Sequence, residues 1–312
     1  MARGVITHLR YVAIAMPELD SQLAFYTDLW GLTEVEKDSG VHFLAAEGSP
    51  ERYVVRLRRD DAKRCDLIAF GAATPDDVDA LAVQLARSGV LLIHEPRRLD
   101  TPGHGYGVRF FDIDGRVVEV SAGVCPREHR RIEERESIPV GLSHVVVNTP
   151  NPEDTVAWYC KHLQFRLSDT LRHPMGGDIM WFLRCSSRHH SLAIARGPHV
   201  ALNHISFDMR GIDEYLRGTG RMLRNNVEKV WGPGRHTVGD NTFSYFLDPV
   251  GNTVEYTTEL AVLDEDTWHP AIHDVKTPDV IDQWGTANDM NEVVAQKMFN
   301  DPDKGLFVAP PL

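Results

Sequence analysis

Cysteine is scarce. The four residues (Cys65, Cys125, Cys160, Cys185) show no CxxC spacing, which excludes a disulfide-stapled scaffold and a paired-thiol zinc or redox motif. They read as free thiols of a reducing compartment. A basic excess is also missing: 33 Lys plus Arg against 45 Asp plus Glu give a net charge of −12, which excludes the footprint of a nucleic-acid binder. No apolar run approaches the ~18 residues of a membrane span, and the opening residues lack a basic-then-apolar leader pattern. A cytoplasmic location is therefore expected. GxSxG, Walker A and HExxH are absent, as is a GxGxxG after a first strand, which argues against several common hydrolase, nucleotide and protease sites.

What is present is a chain of 312 residues, 42% hydrophobic, longer than the ~250–300 residues at which one core usually divides. Internal similarity supports two domains. Phe246, Asp248, Gly251, Val254 and Glu255 echo Phe110, Asp112, Gly115, Val118 and Glu119 at a constant shift of 136 residues, as from 110 to 246. A second echo, Trp158-Tyr159 after His144 against Phe25-Tyr26 after Tyr11, runs at 133. Pro17 and Pro152 sit near the first positions of matching helices, and each stretch is expected to end at its aromatic pair. A further helix follows Thr74 as N-cap and Pro75 at N1, stopping at Gly89. Another is predicted over 212–223. Strand hairpins turn at Asp114-Gly115 and at 249–251.

The expected class is α+β: two domains (1–126 and 138–260), each of two βαβββ modules forming a partly closed mixed β-barrel. Residues 127–137 connect them, and 261–312 form a tail packing on the second domain, with a short helix near 290–299. The module starts are Tyr11, Leu67, His144 and His204; the matching ends are Glu119 and Glu255. Only the second half gathers His, His and Glu, so the first is expected to be metal-free scaffold. Two imidazoles and one carboxylate with positions left open form the facial triad of non-haem Fe(II) oxygenases. His144, His204 and Glu255 supply that set from predicted strands. Tyr245 and Glu255 lie equidistant from Val250, so antiparallel pairing places the phenol beside the carboxylate.

Gly234-Arg235-His236, Tyr245, Asp248-Pro249, Gly251 and Glu255, with residues 188–193 and Leu202-Asn203-His204, resemble the signature of type I extradiol ring-cleavage dioxygenases of the vicinal oxygen chelate superfamily. The resemblance implies that His144, His204 and Glu255 hold Fe(II), with Mn(II) as the alternative. It implies His190 facing bound oxygen, His236 near the substrate and Tyr245 contacting it. The implied reaction cleaves a catechol-type ring beside its vicinal diol with O2. A homo-oligomer is expected, with no nucleic-acid or membrane partner. Two positions depart from the signature: Ser244 stands where an apolar residue is usual, and the acidic residue after His236 is displaced to Asp240. His189 and His190, if on a strand, point oppositely, so only one can face the metal; the resemblance picks His190, and His189 is then expected to face outward or toward a neighbour.

Two rivals share this fold: a metal-dependent isomerase or lyase, and a non-enzymatic small-molecule-binding module. The first leaves His190, His236 and Tyr245 without a task; the second usually dispenses with the ligands kept here. Trp181, Phe182, Trp268 and Trp284 are candidate walls of an aromatic pocket, and Arg184 or Arg188 candidate partners of a substrate carboxylate.

Overall fold

The computed structural model describes residues 5–173, 175–277 and 279–311. The first half contains strands β1 (Ile6–Met16), β2 (Thr33–Asp38), β3 (Val41–Ala45), β4 (Val55–Arg59), β5 (Arg64–Ala72), β6 (Leu92–Arg98), β7 (Tyr106–Phe111) and β8 (Val117–Ala122). They form one mixed sheet in the order β2-β3-β4-β1-β5-β8-β7-β6. The end strands β2 and β6 do not pair with each other, so the sheet stays open. The second half repeats the plan with β9 (Gly141–Thr149), β10 (Arg166–Arg172), β11 (Asp178–Arg184), β12 (Leu192–Arg196), β13 (Ala201–Asp208), β14 (Lys229–Arg235), β15 (Thr242–Leu247) and β16 (Thr253–Thr257). Its order is β14-β15-β16-β13-β9-β12-β11-β10, extended at the β10 edge by β17 (Ala271–Asp274).

Helix α1 (Leu19–Ala24) does not end at Phe25-Tyr26 as expected; it widens into a π-helix over Phe25–Trp30 and stops at Gly31. That extra turn carries Trp30 across to the second half, where it stacks on Tyr256 at 3.7 Å. α2 (Pro75–Arg87) follows its sequence signals: Thr74 and Asp77 form a reciprocal capping box, and Gly89 takes a positive φ past the end. α3 (Pro152–Leu163) and α4 (Ile212–Arg224) complete the set. Arg221 of α4 donates to the carbonyls of Leu29 and Trp30, and Gln84 of α2 to that of His162 in α3. Phe70 meets Phe165 edge-on. One continuous apolar core therefore runs through both halves.

The hairpins before β8 and β16 are built alike. Asp112 Oδ1 accepts the amides of Asp114 and Arg116, and Asp248 Oδ1 those of Val250 and Asn252. Gly115 (φ 90°) and Gly251 (φ 79°) supply the left-handed turn position in each. This fixes Arg109 opposite Glu119 and Tyr245 opposite Glu255.

Matching registers also align Tyr11 with His144, Leu67 with His204 and Tyr53 with His190. In the first half, the buried Glu119 carboxylate accepts from Arg109 Nε at 2.8 Å and from the Tyr11 hydroxyl at 3.2 Å. A guanidinium thus supplies the positive charge beside Glu119, and the space next to Tyr11 and Tyr53 closes to about 10 Å³. Replacing Arg109 by Met strands a buried carboxylate and is expected to cost about 3–5 kcal/mol in urea unfolding. Adding Glu119→Leu should recover most of that loss; a single variant as stable as the parent would show that the pair is not a charge substitution.

The tail departs from expectation at its end. β17 pairs with β10 and α5 (Glu292–Phe299) packs beside β13 and β14, but residues 301–308 cross to the first half. There the Cys65 amide donates to Asp303, and the Phe307 amide to the Gly115 carbonyl. Among the described residues no helix is long and apolar enough to cross a membrane.

Candidate metal centre and active site

Strands β9, β13 and β16 lie side by side and bring His144, His204 and Glu255 together, all buried. His144 Nε2 stands 3.0 Å from Glu255 Oε2, His204 Nε2 stands 3.4 Å from the same oxygen, and the two nitrogens are 3.3 Å apart. Ligand atoms held at right angles about 2.1 Å from one metal stand about 3 Å apart, so the triangle has the dimensions of one octahedral face. The other ring nitrogens are already engaged. His144 Nδ1 lies 3.1 Å from Ser143 Oγ, and His204 Nδ1 donates to Asn203 Oδ1 at 2.7 Å, which directs each Nε2 lone pair inward. Neither Glu255 oxygen has a conventional hydrogen-bond partner. A buried carboxylate set between two imidazole nitrogens at the corner of such a triangle fits a divalent cation.

Electrostatics agree with that fit. Burial by itself would raise the Glu255 carboxyl, but the His144 and His204 rings outweigh it and hold it well below the usual carboxylate range. Burial lowers His204, partly offset by Glu255. Neutral imidazole is the form that binds a metal.

The centre opens into a cavity of about 710 Å³ lined by His190, His236 and Tyr245 as well as by His144 and His204. The His190 ring lies tilted against His144, with centroids 4.2 Å apart, and meets Phe182 edge-on at 5.0 Å. Burial, then His144 and His189, push its pKa well below the ordinary histidine value. His236 Nδ1 donates to the Ile281 carbonyl at 2.8 Å, so its Nε2 accepts from the Tyr245 hydroxyl at 3.1 Å. Burial lowers His236 to about 4 and, with Glu255 nearby, raises the Tyr245 phenol well above its usual value. His236 is therefore a neutral acceptor and Tyr245 a neutral hydroxyl.

Several expectations need correction. His189 and His190 lie in the turn before β12, outside any strand, so the alternation argument does not apply, although only His190 lines the cavity and His189 turns toward Asp169; both are buried and their Nδ1 atoms are 2.9 Å apart. Of the four aromatic candidates only Phe182 lines the cavity. Trp181 sits under Arg196, Trp268 packs edge-on against His189, and Trp284 lies under Arg235. Arg184 is held by Glu265 and Arg188 by Asp208, so neither is free for a substrate. Ser244 points to α4, where its hydroxyl meets Tyr215 Oη at 2.7 Å and Thr219 Oγ1 at 3.1 Å. Asp240 pairs with Arg235, while Asn241 lines the cavity.

Sequence reasoning also missed the support of His204. A bulge between Leu202 and His204 lets Asn203 and His204 both line the cavity. Asn203 Nδ2 donates to Asn148 Oδ1 at 2.8 Å, and Asn148 Nδ2 to the Met298 and Phe299 carbonyls of α5. The tail is thereby tied to a ligand. Asn203 stood next to His204 in the motif, but its partners are remote in sequence.

Residues 141–256 match the family profile described as the Glyoxalase/Bleomycin resistance protein/Dioxygenase superfamily. The chain belongs to the type I extradiol dioxygenases of this vicinal oxygen chelate superfamily. It is 31% identical over 287 residues to the biphenyl-2,3-diol 1,2-dioxygenase of Metapseudomonas furukawaii, covering 86% of this chain and 91% of that protein. It is 28% identical over 303 residues to metapyrocatechase 2 of Cupriavidus necator, covering 91% and 90%. Among solved structures, the Mn(II)-bound glyoxalase of Novosphingobium aromaticivorans superposes with a TM-score of 0.89 at 41% identity, over 97% of this chain and 98% of that one.

Proposed function

We propose that this protein is an extradiol dioxygenase that opens the ring of a catechol beside its two hydroxyls, using O2 and a mononuclear Fe(II) or Mn(II) held by His144, His204 and Glu255. One observation carries the reading: a carboxylate-and-two-imidazole face shares its cavity with His190 and with the hydrogen-bonded His236–Tyr245 pair. The metal, when bound, supplies Lewis acidity toward the diol and an electron path to dioxygen.

The chain's own groups do the rest. His190 has its Nδ1 engaged by His189 and lines the cavity without belonging to the ligand triangle, which suits an acid–base role toward substrate and oxygen. His236, fixed by the Ile281 carbonyl, orients the Tyr245 hydroxyl toward itself and leaves the phenol lone pairs for a substrate hydroxyl. The apolar walls, including Leu171, Ile179, Phe182, Val280 and Met298, give a bound aromatic ring a nonpolar surface against which to displace water.

The same walls indicate the substrate class. Their volume lies in the range of about 300–1,000 Å³ typical of small-molecule sites, more than a bare catechol fills. Among the described residues Arg196 is the one arginine lining the cavity, and it is held by Glu153 and the Asp178 carbonyl. We therefore assign a catechol carrying a bulky apolar substituent. In a substrate series followed by absorbance of the ring-opened product, kcat/KM should be at least about 10-fold higher for an aryl- or alkyl-substituted catechol than for a carboxylated one. The reverse order would overturn this assignment.

The glyoxalase named in the 41%-identical structure favours a second reading, metal-dependent isomerisation. O2 consumption by the Fe(II)- or Mn(II)-loaded protein with catechols decides between them. Turnover of a 2-oxoaldehyde–thiol adduct without O2 uptake would establish the rival. A cytoplasmic location and a homo-oligomer belong to the same proposal; the four cysteines are free, and light scattering tests the oligomer.

A further inference from the structure

Behind His190, on the side away from the cavity, lies a polar chain to which the reaction outlined above gives no task. Asp169 of β10 is buried at 2% exposure, and its Oδ2 stands 3.1 Å from His189 Nε2. His189 Nδ1 is in turn 2.9 Å from His190 Nδ1. The arrangement is held from several sides. Asp169 Oδ1 accepts the Ala271 amide of β17 at 2.8 Å, and His273 Nε2 lies 3.2 Å from Oδ2. The His189 backbone donates to the Ala261 carbonyl at 2.8 Å and accepts from the Ser168 hydroxyl. The Trp268 ring closes over His189 edge-on.

The hydrogen-bond roles along this chain follow from its end. A carboxylate accepts only, so a His189 ring with a single proton holds it on Nε2 and donates it to Asp169. His189 Nδ1 is then a bare acceptor, and two ring nitrogens 2.9 Å apart share one hydrogen. That hydrogen belongs to His190 Nδ1. We propose that Asp169 and His189 are positioning residues that hold His190 as its Nδ1–H tautomer, with an unprotonated Nε2 presented to the cavity.

The tautomer decides what His190 does first. A bare Nε2 takes the proton of a substrate hydroxyl: the O–H bond breaks, its electron pair stays on oxygen, and an N–H bond forms. The opposite tautomer presents an N–H and only gives a proton. This consequence for turnover rests on the ring-cleavage reading; the tautomer does not.

Asp169→Asn reverses the chain without changing its shape. The amide donates to His189 Nε2, His189 then donates from Nδ1, and His190 is left with its proton on Nε2. The test is the ring ¹⁵N chemical shifts of the histidines in the full-length, metal-free chain, with kcat, KM and metal content measured on the loaded protein. The wild type should show His190 protonated at Nδ1. Asp169→Asn should move that proton to Nε2 and lower kcat about 10²-fold, with KM within about threefold and metal content unchanged. A wild-type His190 protonated at Nε2 would overturn the proposal, and this measurement needs no variant to fold. So would a fall in kcat with an unmoved tautomer, which marks a merely structural role, or a moved tautomer with kcat intact. If the wild type cleaves no catechol, the ring-cleavage reading fails, while the tautomer measurement still decides this assignment.

Discussion

His144→Ala and Glu255→Ala are each expected to give a folded protein that retains no metal and cleaves no catechol. Each removes one corner of a triangle whose sides are 3.0–3.4 Å, and two remaining ligands leave most of a divalent ion's coordination to water. The fold has little reason to fail, because the strands carrying the ligands are paired on both sides through backbone hydrogen bonds. Thermal unfolding with and without added metal gives a second readout. Saturation at 100 times Kd stabilises a native state by about 2.7 kcal/mol, so the parent's Tm should rise with Fe(II) or Mn(II) and the variants' should not. Elemental analysis showing full occupancy in either variant would refute the ligand assignment.

The parts of this site that were legible in the sequence are those governed by short-range rules. The Tyr245–Glu255 pairing follows from one hairpin turning about Val250, and the observed register puts the two residues opposite each other. The α2 boundaries follow from Thr74, Pro75 and Gly89. The role of Arg109 was also within reach: the 136-residue shift that aligns Glu119 with Glu255 places Arg109 on Tyr245, and an arginine opposite a buried glutamate indicates a charge pair. What could not be read depends on contacts remote along the chain. Only His190 lines the cavity, as expected, but strand alternation is not the reason: both imidazoles lie in the turn before β12, and the neighbour that receives His189 is Asp169, two strands away in sequence. The tail carries no periodicity that would reveal Met298 and Phe299 as carbonyl partners of Asn148, or Phe307 as a contact of the first half.

His190→Asn should separate acid–base chemistry from metal binding. The residue contributes no atom to the ligand triangle; its ring lies against His144 at 4.2 Å and Phe182 at 5.0 Å. An asparagine keeps a polar group within reach of His189 but has no nitrogen that takes up a proton near neutral pH. Metal content should therefore equal that of the wild type, and catechol affinity, measured anaerobically, should stay within a few-fold. Turnover should fall by about 10²–10⁴-fold, the range for loss of a positioned acid–base group. Burial and the two neighbouring imidazoles disfavour the charged form of His190, so the wild-type ring starts neutral and has capacity to accept. A variant that loses its metal would place His190 in the structural support of His144. One that keeps its metal and its full rate would send the proton through His236, Tyr245 or water, and of these the His236 Nε2 acceptor, 3.1 Å from the Tyr245 hydroxyl, is the group to replace next.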